Sequence, residues 1–259
     1  MVEAITQESI YEPVAAGLQA VINEIASIAE KTPENAPENT RDLDAQLGHV
    51  LVTPGKRVRP ALTLLASRLW GLDIDERSIR MATAVELLHI ATLVHDDTVD
   101  HADTRRGHHT ASKLWGRNVA VLIGDFIFAT SAMYVCDTNN IRLVSRFAET
   151  ITELARGELS EIYTAWQMGV SLEEYNSRIY DKTASLFCTA AVSGAILGEG
   201  SDGANLRHDR QHVLRADQAA VKQGEARQDH REDENGRYHH PRGISLVRRR
   251  RGGGRVLRP

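Results

Sequence analysis

The stretch Glu86-Leu-Leu-His-Ile-Ala-Thr-Leu-Val-His-Asp-Asp-Thr-Val-Asp100, followed at once by His101-Ala-Asp-Thr-Arg-Arg-Gly107, decides how this chain is read. From Ser78 to His101 there is no Gly or Pro, and Met81, Ala82, Val85, Leu88 and Val99 recur at helical steps, so the spacing predicts one long helix. At about 100° per residue, His89, Asp96 and Asp100 fall within roughly 40° of one another, while Asp97 points away from the other carboxylates. Like charges four residues apart repel and weaken an isolated helix, so the pair asks for a compensating cation. A few carboxylate oxygens with room for water suit Mg2+, which completes its shell with substrate phosphates. A solvated Asp-rich cap would use the same residues. Arg105 and Arg106, five and six positions after Asp100, favour the cation, because guanidinium groups beside metal-binding carboxylates grip a polyphosphate from the other side. Asp103 could instead hold one of these arginines in a surface salt bridge.

Upstream, Gly55-Lys-Arg-Val-Arg-Pro60 places Lys56, Arg57 and Arg59 at the expected start of a helix, where free backbone amides also favour anions. The other helical patterns are an amphipathic one from Pro13 to Ala29, a short one around Leu43 to Leu51, and Ala61 to Trp70. Lys113 to Thr130, Ile141 to Glu161, Leu172 to Tyr180 and Asp181 to Leu197 complete the set. No strand-like alternation of any length occurs, so the fold class expected is all-α, a helical bundle around a central cavity. Cys136 and Cys188 have no ligand spacing and read as core thiols of a reducing compartment. His101, His108 and His109 read as solvated loop residues rather than a metal cluster. With no basic leader before an apolar run and no stretch of about 18 apolar residues, neither a signal peptide nor stable membrane insertion is expected, and the location expected is cytoplasmic.

Asp96-Asp-Thr-Val-Asp100 with Arg105-Arg-Gly107 resembles the first aspartate-rich motif of the trans-isoprenyl diphosphate synthases, the polyprenyl synthetase family. Gly55-Lys-Arg-Val-Arg-Pro60 is similar to that family's basic motif, with Pro54 where a second Gly is usual. Val121-Leu-Ile-Gly-Asp-Phe-Ile-Phe-Ala129 resembles its Gly-Asp helix, and Gly157-Glu158 and Lys182-Thr183 follow in the family's order. The resemblance runs from about Pro13 to Glu199. It implies condensation of isopentenyl diphosphate with an allylic prenyl diphosphate, with Mg2+ as cofactor and a homodimer as the assembly. Residue by residue, it implies Asp96 and Asp100 as metal ligands, and Asp96, Asp97, Asp100, Arg105 and Lys182 as the catalytic set. It assigns Lys56, Arg59, His89 and Arg106 to isopentenyl diphosphate, and Arg105, Lys182 and Thr183 to the allylic diphosphate. Ala91 and Thr92, five and four residues before Asp96, stand where short-chain relatives carry a bulky aromatic. Their small side chains imply a medium- or long-chain product, and Ala91→Phe is expected to shorten it.

Residues 1–200 are expected to form the synthetase domain. Residues 201–259 differ in character: 14 Lys and Arg stand against 8 acids, so this part is +6 and the rest −10. Arg248-Arg-Arg-Arg-Gly-Gly-Gly-Arg255 cannot bury a core, and the tail reads as disordered or translated out of frame. A basic tail can also serve nucleic acid or an anionic membrane, but aromatic residues other than Tyr238 are missing, so no nucleic acid partner is expected. The family's second aspartate-rich motif should lie here and is not found; the acidic run Asp229 to Glu234 lacks its spacing. Two other readings therefore stand beside the enzyme: an inactive fragment, and a non-catalytic subunit of a heteromeric synthase.

Overall fold

The computed structural model describes residues 6–30, 38–53, 55–167 and 169–198. The basic tail at 201–259, with its acidic run, lies outside them. Helix α1 (Gln7–Tyr11) passes through one 3-10 turn (Glu12–Val14) into α2 (Ala15–Ile28), followed by α3 (Glu38–Leu51), α4 (Val58–Ser67) and α5 (Glu76–Val99). A small hairpin, β1 (Thr104–Arg105) and β2 (His108–His109), precedes α6 (Ala111–Trp115), α7 (Arg117–Cys136), α8 (Ile141–Thr164), α9 (Leu172–Ile179) and α10 (Ser185–Leu197). The described residues are thus all-α apart from that hairpin.

Helix α5 is the centre of this arrangement. Asp75 starts it by accepting hydrogen bonds from the backbone N–H and the hydroxyl of Ser78, each 2.8 Å, which satisfies donors that a helix start leaves open. Every residue from Met81 to Leu88 is buried, so this part of the helix is enclosed on all sides rather than facing water along one stripe. Helices α2, α4, α7 and α10 pack around it. At its far end His101 takes a left-handed conformation (φ 55°) and the Ala102 N–H reaches back to the Asp97 carbonyl at 3.0 Å, a closure that fixes the last turn and its three aspartates.

Several expectations need correction. The segment expected to run as one helix from Lys113 to Thr130 is divided at Gly116 (φ 84°), and its second part continues to Cys136. Cys136 is exposed at the end of α7 and Cys188 half-buried, so Cys136 is no core thiol. The hairpin was not expected. Thr104 pairs with His109 and Arg105 with His108, and both residues of the two-residue loop, Arg106 (φ 51°) and Gly107 (φ 84°), have the positive φ of a type I′ turn. Arg106 is therefore held at a hairpin tip. Among the described residues Arg117–Cys136 is long and apolar enough to cross a membrane by length and composition, contrary to the expectation of no such stretch. Its inner face, including Ala120, Ile123, Ile127 and Val135, is buried and packs along α5, as in a core helix.

Helices α4 and α10 meet backbone to backbone. A Cβ on Gly194 would lie 2.1 Å from the Thr63 carbonyl oxygen and 2.8 Å from the Ala66 Cβ. Gly194→Ala must push α10 off α4, and overpacking of this kind costs about 1–3 kcal/mol. A thermal melt should show Tm lowered by roughly 3–10 °C.

Candidate functional site

A cavity of about 740 Å³ opens between the turn before α4, the exposed side of α5, the hairpin and Phe187 of α10. Lys56, Arg57, Arg59, Arg105 and Arg106 all line it, together with His89. Lys56 is exposed, its carbonyl accepting from Gln7 Nε2 at 3.3 Å and from the Tyr11 hydroxyl at 3.1 Å. The Arg59 guanidinium lies 4.3 Å from the centroid of Phe187, a contact that favours a cation over the ring face. Its Nε is buried without a hydrogen-bond partner, and burial lowers its pKa. The four residues assigned to isopentenyl diphosphate are thus brought to one cavity by four separate elements.

His89 is neutral in this setting. Burial, then the charges of Arg59 and Arg106, push it down to about 3. The unfolded chain takes up this proton near pH 6.5 and the folded chain only near 3, so stability contributed by neutral His89 is present above about 6.5 and is lost as pH falls towards 3. His89→Gln should flatten the acid side of a Tm-against-pH profile between pH 7 and 5 relative to the unmodified chain. An unchanged slope would show that His89 is not held neutral.

The carboxylates separate into two groups. Asp97 is buried and lines the cavity, held at 2.8 Å from both carboxylate oxygens by Arg105 Nε and at 2.7 Å by Arg105 Nη2. Arg105 is thus committed to Asp97 rather than to the other acids. Asp103, weighed as a partner of Arg105 or Arg106, pairs instead with Lys113 at 3.1 Å. Asp96, half-buried, feels Glu158 of α8: burial first, then the Glu158 charge, pushes its carboxyl up to about 6, with Asp100 adding to the effect and Lys182 opposing it. Asp100 is exposed.

Lys182 sits in a π turn, Tyr180–Ala184, between α9 and α10, where the Ser185 N–H bonds to the carbonyl five residues back at Tyr180. Such turns within helices are frequent at functional sites. The start of a helix expected at Asp181 is therefore a bulge inside a nearly continuous one. The Lys182 ammonium is 2.8 Å from Glu158 and also bonds Glu161. Burial disfavours its charge, but these hydrogen bonds hold it above the ordinary lysine range. Thr183 is exposed. Glu161 was not singled out in the sequence, although its position three residues after Glu158 places both on one helix face.

Among the described residues no group of three or more His, Cys, Asp or Glu is arranged to hold a metal ion. What the site offers is a pair of carboxylates, Asp96 and Asp100, where burial first and neighbouring negative charge second raise the Asp96 pKa. That donor set fits Mg2+, which is held by one or two carboxylates and otherwise by phosphate and water. Ala91 is fully buried in the hydrophobic core and Thr92 half-buried, its hydroxyl bonded to the His89 carbonyl at 2.8 Å. Neither lines the 740 Å³ cavity, whose α5 wall includes His89, Ile90, Leu93 and Val94. A phenylalanine at Ala91 would enter packed core, so its expected effect now includes loss of stability.

The polyprenyl synthetase family model matches residues 41–215. The chain belongs to that family. It is 40% identical over 159 residues to a prenyl transferase of Synechocystis, covering 61% of this chain and 49% of the relative. It is 36% identical over 174 residues to heptaprenyl diphosphate synthase component 2 of Geobacillus stearothermophilus, covering 67% and 54%. Among solved structures, a decaprenyl diphosphate synthase from Rhodobacter capsulatus is similar with a TM-score of 0.69 and 34% identity, over 76% of this chain and 58% of that one. A polyprenyl synthase from Caulobacter crescentus, complexed with calcium and isoprenyl diphosphate, is similar with a TM-score of 0.68 and 30% identity, over 76% and 57%. The chain spans about half the length of these members of the polyprenyl synthetase family.

Proposed function

We propose that this polyprenyl synthetase chain binds isopentenyl diphosphate and an allylic prenyl diphosphate on the two sides of one site along α5 and condenses them into a longer prenyl diphosphate. One observation carries the reading: a cationic cavity around His89 lies beside a separate carboxylate pair, Asp96 and Asp100, faced by Lys182. On the first side Lys56, Arg59 and Arg106 take the diphosphate of isopentenyl diphosphate, with neutral His89 as a hydrogen-bonding neighbour. On the second side Asp96 and Asp100 hold Mg2+. When bound, Mg2+ draws negative charge onto the leaving diphosphate. Lys182, released from Glu158 and Glu161, contacts the same diphosphate, and Thr183 lies next to it in the chain. Arg105 holds Asp97 on the cavity side of the same turn of α5. As the allylic carbon becomes cationic, the double bond of isopentenyl diphosphate attacks it, and a proton leaves to the departing diphosphate. No protein nucleophile is required.

The heptaprenyl and decaprenyl diphosphate synthases among the relatives support a medium- or long-chain product. A homodimer is supported by α7, which leaves Leu122, Phe126 and Met133 exposed along one line of its outer face, an arrangement that suits a partner helix. The cytoplasmic location is supported by Cys136 and Cys188 both being free thiols. A second reading, a component that works with another chain, is favoured by the relative named as component 2 of a heptaprenyl diphosphate synthase.

Calorimetry on the full chain separates the two sides. Isopentenyl diphosphate should bind without magnesium, and a Lys56→Ala, Arg59→Ala variant should lose roughly a hundredfold or more, since charge-assisted contacts contribute about 1.5–3 kcal/mol each. Equal affinity in the variant would remove these residues from the substrate site.

A further inference from the structure

Within the basic run Lys56-Arg57-Val58-Arg59 the middle arginine behaves unlike its neighbours. Arg57 has a left-handed backbone (φ 48°, ψ 38°) immediately before α4, a conformation that costs energy for any residue with a Cβ. Its side chain is turned inward, with Nη1 2.7 Å from Glu86 Oε1, and the two side chains are only 13% and 6% exposed. Nη2 donates to the carbonyls of Leu51 at 3.4 Å and Thr53 at 3.3 Å. Leu51 is the last residue of α3, so Arg57 satisfies a carbonyl that the helix end leaves open and places positive charge where the helix dipole favours it. Glu86 lies in the fully buried part of α5, and a carboxylate in such a place requires a partner. One guanidinium therefore joins the end of α3, the turn and the middle of α5. On the outer side of the same turn, Gln7 and Tyr11 bond the Lys56 carbonyl.

We infer that Arg57 is a positioning residue rather than a substrate ligand: with Glu86 as its buried counter-charge, it fixes the left-handed turn that aims Lys56 and Arg59 into the cavity. This rests on the reading of the cavity as the isopentenyl diphosphate site. Glu86→Gln tests it because charge and positioning predict opposite signs. Removing a negative charge from beside the cations tightens anion binding if only Coulomb attraction matters, and frees Arg57 to contact the anion. Loss of the anchor weakens binding instead, by roughly ten- to a hundredfold, the usual effect of losing a group that orients a ligand-binding residue.

The measurement is calorimetry on the full chain with isopentenyl diphosphate without magnesium, repeated with geranyl diphosphate and magnesium. Weakening confined to the first ligand supports the inference, whereas loss of both would mark general damage to the fold and overturn it. Equal or tighter binding of isopentenyl diphosphate by Glu86→Gln overturns the inference alone. If the unmodified chain fails to bind it, the cavity reading fails and the inference with it. Should Glu86→Gln not fold, a crystal structure of the unmodified chain with isopentenyl diphosphate decides. Arg57 still on Glu86, with Lys56 and Arg59 on the diphosphate, supports the positioning role; Arg57 on the diphosphate refutes it.

Discussion

Asp96→Asn combined with Asp100→Asn abolishes magnesium-dependent binding of an allylic diphosphate while leaving the fold intact. These two carboxylates are the donors the site offers to the cation, and an amide cannot supply the charge. Affinity for geranyl diphosphate in magnesium should fall by more than about a hundredfold, since even outer partners of a metal ligand are worth roughly ten- to a hundredfold. Stability should move the other way. Burial and Glu158 push the Asp96 carboxyl up to about 6, so its ionisation above that pH disfavours the metal-free folded state, and removing the charge relieves this. Calorimetry in magnesium should therefore show lost binding, and a thermal melt at pH 8 without magnesium an unchanged or raised Tm. A variant that still binds in magnesium as the unmodified chain does would place the cation elsewhere.

Gly157→Ala damages the fold and the site together. A Cβ at Gly157 would stand 2.6 Å from the Lys182 backbone nitrogen and 2.9 Å from the Asp181 carbonyl carbon, and backbone atoms cannot step aside as a flexible side chain does. Either α8 moves away from the π turn or the turn shifts, and in both cases Lys182 leaves its place opposite Glu158. Overpacking of about 1–3 kcal/mol corresponds to a Tm lower by roughly 3–10 °C. Affinity for geranyl diphosphate in magnesium should fall as well, with isopentenyl diphosphate binding less changed, because neither Gly157 nor Lys182 lines the cavity around His89. A substitution that lowers Tm without touching either affinity would show that the π turn does not place Lys182.

The centre of the fold was legible because α5 is long and free of Gly and Pro, and its stretch from Met81 to Leu88 is buried all round, so apolar pattern and helix length agree. The hairpin was not: two strands of two residues carry no alternation to read, and its signal is the Arg106-Gly107 pair with positive φ. Helical angles placed Asp97 away from Asp96 and Asp100 but could not show its partner, since Arg105 reaches it only because the chain reverses at left-handed His101. The basic run offers three cations, of which the resemblance assigns Lys56 and Arg59 to the substrate and leaves Arg57 without a role. Tertiary contacts distinguish them, sending Arg57 inward to Glu86 and laying Arg59 on Phe187, which is more than a hundred residues away in sequence. Only the resemblance marked Lys182; its π turn lies against Gly157, where the missing side chain lets α8 approach, a contact between segments about 25 residues apart. Cys136 looked buried because its neighbours are apolar, yet it falls on the open side of the last turn of α7.

The most direct test of the account is turnover by the purified full chain. It is incubated with labelled isopentenyl diphosphate, a farnesyl or geranylgeranyl diphosphate primer and magnesium, and the products are resolved by chain length. Labelled prenyl diphosphates longer than the primer are expected, formed with magnesium and lost on chelation and in the Asp96→Asn, Asp100→Asn variant. A folded chain that binds both diphosphates and yields no longer product would contradict it.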